Sequence, residues 1–449
     1  MKYLDVVKHV VKKSRWGSYF FSPFPKSVLY TSVYSNIVHL CAQKDAGKSE
    51  SVDTALRKRM KHVLEEALLH IPWYRDNVRV DPRSITLENV YEKLEEFPYL
   101  TKKIVMNNWN SFLNEKYSIR QLKTGSTEGT TGEGLLIASS RREIGMQKAF
   151  HEYWMRDIHF DFLKTRILRF GLYGLRSVSL SPVQRCGNCL LVSPMHLIKD
   201  WFKPIYDECV KFSPEVIHAY PTLLYLFARY VNENNLPPIK VQGLLLTSDV
   251  FLYYHYMNFK KAFGNPRIYG SYNMSEHVAL GKAVVNEADK TIGYQLDNLY
   301  AYNENLKDKY GNHEIVGTSY WNEAMPFIRY RTQDFGKIND TGFIKSLDGR
   351  GGAFLTTKTG YKVSGISFLV LEDYVWNYVE AVQIVQHERG KLVICIVPRP
   401  DYTDEIGEKI ILNLEQKNPG LFDYAVRLVE EMIKGRSTKV NSVIVDINE

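Results

Sequence analysis

The sequence predicts an α/β protein: a large N-terminal body of mostly parallel sheets with flanking helices, followed by a small, mobile α+β C-terminal domain. Three observations carry this. From residue 196 onward, strand-like and helix-like segments alternate, as βαβ units require. Gln242–Thr247 is a nearly continuous apolar run, the pattern of a parallel strand buried on both faces. Asp348-Gly349-Arg350-Gly351-Gly352 places three glycines in four positions, a flexible joint with a separate pattern beyond it.

The elements follow in order. Residues 52–71 read as an amphipathic helix, because Met60, Val63, Leu64, Ala67, Leu68 and Ile71 recur at three and four and Pro72 ends it. Residues 89–110 read as helical with a break at Pro98. Ile119–Leu122 reads as a strand entering a Gly/Thr-rich loop, and Leu135–Ala138 as the strand leaving it. Residues 143–157 read as a helix and Ile167–Tyr173 as a strand. Then come helix Trp201–Lys211, strand Val216–His218, helix Leu223–Asn234, strand Gln242–Thr247, helix Phe251–Phe263 and strand Arg267–Tyr269. Gly281–Asn286, Gln295–Ala301 and His313–Thr318 read as further strands. Past the joint, Ala381–His387, Leu392–Pro398 and Tyr424–Glu430 are strand-like and Asp404–Gln416 is helix-like. The boundaries are 1–348 for the body, with 1–50 as a helical extension, and 349–449 for the second domain.

Composition bounds the function. The 449 residues carry 45% hydrophobic and 24% charged side chains, a globular balance. The net charge of +8 suits a polyanionic ligand such as a nucleotide, or an anionic surface. No run of five or six basic residues exists, so nucleic acid is not expected. Cys41, Cys186, Cys189, Cys209 and Cys395 are an odd, sparse set, which argues against a disulfide framework and for a reducing compartment. Cys186 and Cys189 form one CxxC without the second pair of a structural zinc site. No apolar stretch is long enough to span a membrane, and the N-terminus lacks a signal peptide's apolar region, so a cytoplasmic protein is expected. Lys2, Lys8, Lys12, Lys13 and Arg15 among Leu4, Val7, Val10, Val11 and Trp16 fit a basic helix on an anionic membrane face. They also fit a surface helix docked on the domain.

Five segments carry chemistry. Thr124–Gly134 holds four glycines and five hydroxyl residues, so backbone N–H groups and hydroxyls can approach phosphate oxygens closely. It is not a Walker loop, because no Gly-Lys-Ser/Thr follows. Tyr272-Asn273-Met274-Ser275-Glu276 offers an aromatic face for a base and a carboxylate for Mg²⁺. Tyr330-Arg331-Thr332-Gln333-Asp334 offers a carboxylate that accepts from two ribose hydroxyls. Gly349-Arg350 and Lys434-Gly435-Arg436-Ser437-Thr438-Lys439 add cations. Taken singly, these also read as a hairpin, a buried tyrosine with a surface glutamate, an Arg–Asp pair and solvated charge.

Their order is the stronger signal. It resembles the motif order of the adenylate-forming superfamily of acyl-CoA ligases, peptide-synthetase adenylation domains and luciferases. The branch with phenylacetate–CoA ligase and the CapK-type capsule-polysaccharide enzymes is the most similar. Similarity extends to Arg59–Arg75, Phe97–Lys102, Ala219–Leu226, Ala324–Thr332 and Val382–Gln386.

The resemblance implies an ATP-dependent, AMP-forming, Mg²⁺-using ligase. It implies that Ser126 and Thr127–Gly132, with Gly129, Thr130 and the catalytic Thr131, contact the ATP phosphates. Tyr272, Asn273, Met274 and Ser275 would line the adenine, Glu276 would ligate Mg²⁺ and act in catalysis, and Asp334 would bind the ribose. Arg350 would lie near the nucleotide at the joint, and Lys439 would be the catalytic lysine carried by the second domain. The acid pocket would involve Tyr220, Thr247, Ser248, Tyr269, Gly270 and Ser271. The partners implied are a small carboxylic acid and an acceptor, which is CoA, a carrier thiol, or a sugar amine or hydroxyl, in cell-surface polysaccharide synthesis. Two other readings are an aryl- or acyl-CoA ligase of small-acid catabolism, and a nucleotide-binding partner protein without catalysis. Against the family pattern, Glu133 stands in the loop where lysine is usual and is expected to point outward. Asn273 and Gln333 replace glycines, and Gln333 calls for a gap to hold its bulk.

Overall fold

The computed structural model describes residues 21–446 apart from 127–133, 171–180, 198, 250, 309–310, 348, 351–353, 361, 365–370, 372 and 433–442. Among the described residues, the longer helices are α1 (Thr31–Asp45), α2 (Ser49–His70), α3 (Arg141–Trp154), α4 (Lys199–Phe212), α5 (Pro221–Glu233), α6 (Tyr253–Ala262) and α7 (Asp404–Lys417). The first strands are β1 (Lys123–Ser126), β2 (Leu136–Ser139), β3 (Ile167–Phe170), β4 (Val183–Cys186), β5 (Cys189–Val192), β6 (Val216–Ala219) and β7 (Gly243–Leu246). Next come β8 (Arg267–Asn273), β9 (Leu280–Asn286), β10 (Thr291–Leu296), β11 (Ala301–Lys307), β12 (His313–Ser319), β13 (Tyr330–Phe335), β14 (Phe343–Ile344) and β15 (Gly349–Arg350). The last are β16 (Phe354–Thr356), β17 (Lys362–Ser364), β18 (Val379–Glu388), β19 (Lys391–Pro398), β20 (Asp423–Leu428) and β21 (Val443–Val445).

A nine-stranded sheet runs β14-β10-β9-β8-β7-β6-β3-β5-β4. Its centre, β8-β7-β6-β3-β5, is parallel; both flanks are antiparallel. Strand β7 (Gly243-Leu244-Leu245-Leu246) is buried at every position, so its unbroken apolar run does mark a strand covered on both faces. Helices α4, α5 and α6 cover one face through a core that includes Leu168, Phe170, Ile217, Phe227, Leu244 and Phe259. The other face meets Met155, Phe160 and Phe162 from the chain just after α3.

A second sheet, β11-β12-β13-β15, is wholly antiparallel. A third, β20-β19-β18-β21, packs with α7 around Ile384, Ile394, Ile396, Ile410 and Leu414. Parallel pairing thus forms the centre of the largest sheet, and it recurs in the third, where β20 runs parallel to β19 and β21 to β18 about an antiparallel β18–β19 pair.

The N-terminal extension lies on α3. Gly145 allows the approach: a Cβ there would stand 1.9 Å from the Tyr30 carbonyl oxygen. Glu152 of α3 takes the Lys26 ammonium and the Tyr34 hydroxyl, each at 2.5 Å. The basic segment before residue 21 lies outside the described residues. Among the described residues, no helix is long and apolar enough to cross a membrane.

Three expected elements differ. Ile119–Gln121 is a 3₁₀ turn held by a Ser118–Gln121 capping box, and the strand begins only at Lys123. Gln295–Ala301 straddles two strands, because the Asp297–Tyr300 turn separates β10 from β11. Part of the glycine-rich joint is ordered as β15, where Gly349 and Arg350 pair with Phe335 and Asp334.

Candidate active site

The second sheet meets the first beside the end of β8. Strand β8 carries Tyr272 and Asn273 and runs on into Glu276; β13 carries Tyr330 and Asp334. The Tyr272 hydroxyl donates to Asp334 Oδ2 at 3.0 Å, and the Tyr330 hydroxyl donates to Glu276 Oε1 at 3.2 Å. Two motifs 62 and 54 residues apart are thus joined by two tyrosine–carboxylate bonds. Tyr272 and Asp334 are buried, Glu276 is half-buried and Ser275 is exposed. Arg350 sits opposite Asp334 in the β13–β15 ladder, so the backbone at the joint is registered against the carboxylate.

Neighbouring charges are committed elsewhere. Arg331 pairs with Glu314 at 2.6 Å, not with Asp334. Arg329 grips Glu304 at 2.9 Å, donates to the Glu95 and Phe97 carbonyls, and stacks over Tyr99. Both arginines of the Ala324–Thr332 segment therefore hold the sheet in place.

Gln333 has φ +61°, a left-handed backbone, beside an irregular β12–β13 register between Glu314 and Val316. Its N–H donates to Glu314 Oε1 at 3.0 Å. Its side chain is exposed, so no internal gap holds it; solvent takes the bulk. Asn273 is extended and pairs with Leu280, so it has no need of glycine's freedom.

The residues expected around the acid lie at the carboxyl ends of the parallel strands, where open α/β sheets bind ligands. Tyr220 lies between the end of β6 and the start of α5; Thr247, Ser248 and Asp249 follow β7. Ser248 is exposed at φ +68°, and Thr222 donates to Asp249. Thr247 is buried, its N–H bonded to the Ala219 carbonyl and its hydroxyl 3.2 Å from His218 Nε2. Tyr269 donates to Asp157 Oδ1 at 2.6 Å. Ser271 is buried and its Oγ has no hydrogen-bond partner among the described residues. Gly270 faces Ala283 and Phe251, on the opposite side of the sheet from Tyr269 and Ser271.

Several expected residues lie outside the described ones: Thr127–Gly132, Glu133 and Lys434–Lys439. What is described is the frame of the loop. β1 and β2 pair from Lys123↔Ser139 to Ser126↔Leu136, so Ser126 and Leu136 hold the two loop ends side by side. Sequence reasoning gave no role to His277, the residue after Glu276. A lone histidine in a turn carries no spacing signal; only the fold shows what its ring meets.

The fold is that of adenylate-forming ligases. It superposes on 2-hydroxyisobutyryl-CoA ligase bound to 2-HIB-AMP in the postadenylation state with a TM-score of 0.65, at 15% identity over 88% of this chain and 90% of that one. For the same ligase with 2-HIB-AMP and CoA in the thioesterification state, the TM-score is 0.52 at 14% identity, over 89% and 90%. Residues 355–446 match the family model of the CapK C-terminal domain. Protein CapK of Staphylococcus aureus is 21% identical over 342 residues, 70% of this chain and 71% of that protein. The chain is thus similar to CapK in sequence and shares the fold of the adenylate-forming ligases.

Proposed function

We propose that the protein is an AMP-forming ligase: it joins a carboxylic acid to ATP as an acyl-adenylate, releases pyrophosphate, and passes the acyl group to an acceptor. The observation that carries this is the pairing of Tyr272 with Asp334 and of Tyr330 with Glu276 at the junction of two sheets. In this reading Asp334 accepts from the ribose hydroxyls while Tyr272 fixes its orientation and flanks the adenine. Asn273, Met274 and Ser275 line the same edge, and Arg350 stands behind Asp334. Ser126 and Thr127–Gly132 hold the phosphates on backbone N–H groups and hydroxyls, with Thr131 nearest the reacting phosphate.

A carboxylate is a poor nucleophile toward a polyanionic phosphate, because the two repel. Lys439, by its place in the sequence, is assigned to offset that charge, and losing such a contact costs on the order of 10²–10³ in rate. Glu276 suits Mg²⁺. It is one half-buried carboxylate held by a tyrosine hydroxyl, and Mg²⁺ typically takes one or two carboxylates plus substrate phosphates. When bound, the ion neutralises charge on the phosphates.

The second-domain residues 349–449 would rotate between the two half-reactions. CoA is one acceptor; a carrier thiol or a sugar amine or hydroxyl are the others. The likeness to CapK favours an acceptor in surface-polysaccharide synthesis, carried out on the cytoplasmic side. The test is acid-dependent exchange of labelled pyrophosphate into ATP, followed by AMP release with CoA or amino sugars. Exchange that ignores added acid sinks the ligase reading.

A further inference from the structure

Strand β8 ends at Asn273 and β9 begins at Leu280. Between them the chain turns, and the His277 N–H closes the turn on the Met274 carbonyl at 3.1 Å. Ser275 and Glu276 take its two central positions. His277 itself has left-handed backbone, φ +59°, a region that few side chains other than asparagine, aspartate and histidine adopt. Such a backbone persists where its surroundings over-determine it.

Here the surroundings hold a buried ring. His277 is 5% exposed, and its Nδ1 lies 3.0 Å from the Tyr300 hydroxyl and 3.4 Å from Gln147 Nε2. An amide NH₂ can only donate, so Nδ1 accepts from it and from Tyr300, and the ring proton sits on Nε2. Tyr300 is buried and packs edge-on against Phe150 of α3, with centroids 5.1 Å apart. Gln147 lies on α3, the helix that follows β2 after one residue, Ser140. One residue past His277, the Val278 carbonyl accepts from Asn303 Nδ2 of β11 at 2.8 Å. The backbone beside Glu276 is thereby tied both to α3 and to the second sheet, while the Glu276 carboxylate takes the Tyr330 hydroxyl.

We propose that His277 is a positioning residue: by accepting on Nδ1 it fixes the turn that presents Glu276 to Mg²⁺, and it links that carboxylate to the helix leading out of the β1–β2 hairpin. The assignment rests on the reading of Glu276 as the Mg²⁺ ligand. His277 acts through its neighbour and needs no contact with the nucleotide. Two substitutions separate the ring from the backbone. Glycine and asparagine both tolerate φ +59°. Asparagine carries an acceptor oxygen where the ring carries Nδ1; glycine carries nothing there.

Calorimetric titration of the full chain with ATP, once with Mg²⁺ and once with EDTA, reads the gain in affinity that the metal brings. His277→Gly should cut that gain roughly threefold to tenfold, as the loss of a hydrogen bond or two implies, and leave the affinity in EDTA unchanged. His277→Asn should keep the gain within about twofold of the wild type. Tyr300→Phe, which retains the packing on Phe150, should lose about threefold, with circular dichroism reporting unchanged folds. A His277→Gly gain equal to that of the wild type, or a His277→Asn loss as large as that of His277→Gly, overturns the proposal. So does an equal fall with and without Mg²⁺, which marks a general structural role. Mg²⁺ that adds nothing to ATP affinity in the wild type sinks Glu276 as the ligand and this assignment with it. Pyrophosphate exchange run in parallel answers separately for the ligase. Exchange with a metal gain indifferent to His277 sinks only the positioning role. A metal gain that needs the Nδ1 acceptor, without exchange, keeps that role and sinks the ligase.

Discussion

Tyr272 shows how one hydroxyl links two sites of the sequence. Its bond to Asp334 fixes the carboxylate assigned to the ribose. Tyr272→Phe keeps the ring and loses a bond worth about 0.5–1.5 kcal/mol, so KM for ATP should rise roughly threefold to tenfold with kcat little changed. An unchanged KM would remove Tyr272 from that role. Gln333 makes a different point. In the sequence it stands as an intruder in a glycine position that needs a gap; in the fold it is exposed and left-handed. Gln333→Gly should therefore raise stability by up to about 1 kcal/mol in urea unfolding, because a side chain is strained at φ +61°. Glu323 is a third case, a structural acid with no sequence signature. Burial raises its pKa, but His62, Arg142 and Arg59 outweigh that and hold it at about 2. A depressed acid stabilises fully above its unfolded value near 4.5 and loses this as pH falls toward 2. Between pH 6 and pH 2 the wild type should lose about 3 kcal/mol relative to Glu323→Gln. Parallel losses in the two proteins would contradict the assignment.

At the scale of elements, the parallel centre was legible because β7 is apolar throughout and because βαβ alternation has a fixed period. The misread pieces were those where a turn competes with a strand pattern. Ile119–Gln121 alternates like a strand, yet the Ser118–Gln121 box closes it into a 3₁₀ turn. Asp297 stops β10 by accepting from the Leu299 and Tyr300 N–H groups. Packing between the large body and the residues after the joint was not legible at all. There Trp376 stacks on Tyr254 of α6, with centroids 4.3 Å apart and planes at 26°. Arg229 and Glu233 of α5 pair with Glu380 and Arg399 at 3.3 and 2.6 Å. If the second domain rotates during turnover, these contacts must part. An aromatic pair contributes about 0.5–1.5 kcal/mol beyond its buried area, so Trp376→Ala should open the contact roughly threefold to tenfold more often. Tryptic cleavage at the 348–353 joint reads that opening and should quicken by the same factor. An unchanged cleavage rate means that this stack does not hold the domains together.

For the whole molecule, motif order carried more than any single motif. The residues assigned to the nucleotide lie on two sheets that meet only in three dimensions, and each has an ordinary reading alone. The fold joins them as Tyr272–Asp334 and Tyr330–Glu276. His277 left no comparable trace, since a turn and a helix face assemble its contacts. The central claim is that this assembly activates an acid with ATP. Exchange of labelled pyrophosphate into ATP, measured with a panel of short mono- and dicarboxylic acids, tests it most directly. The account predicts exchange that depends on one class of acid, falls about 100-fold in Asp334→Ala, and falls on the order of 10²–10³ in Lys439→Ala. ATP that binds yet exchanges with none of these acids, or exchange indifferent to both substitutions, would contradict it.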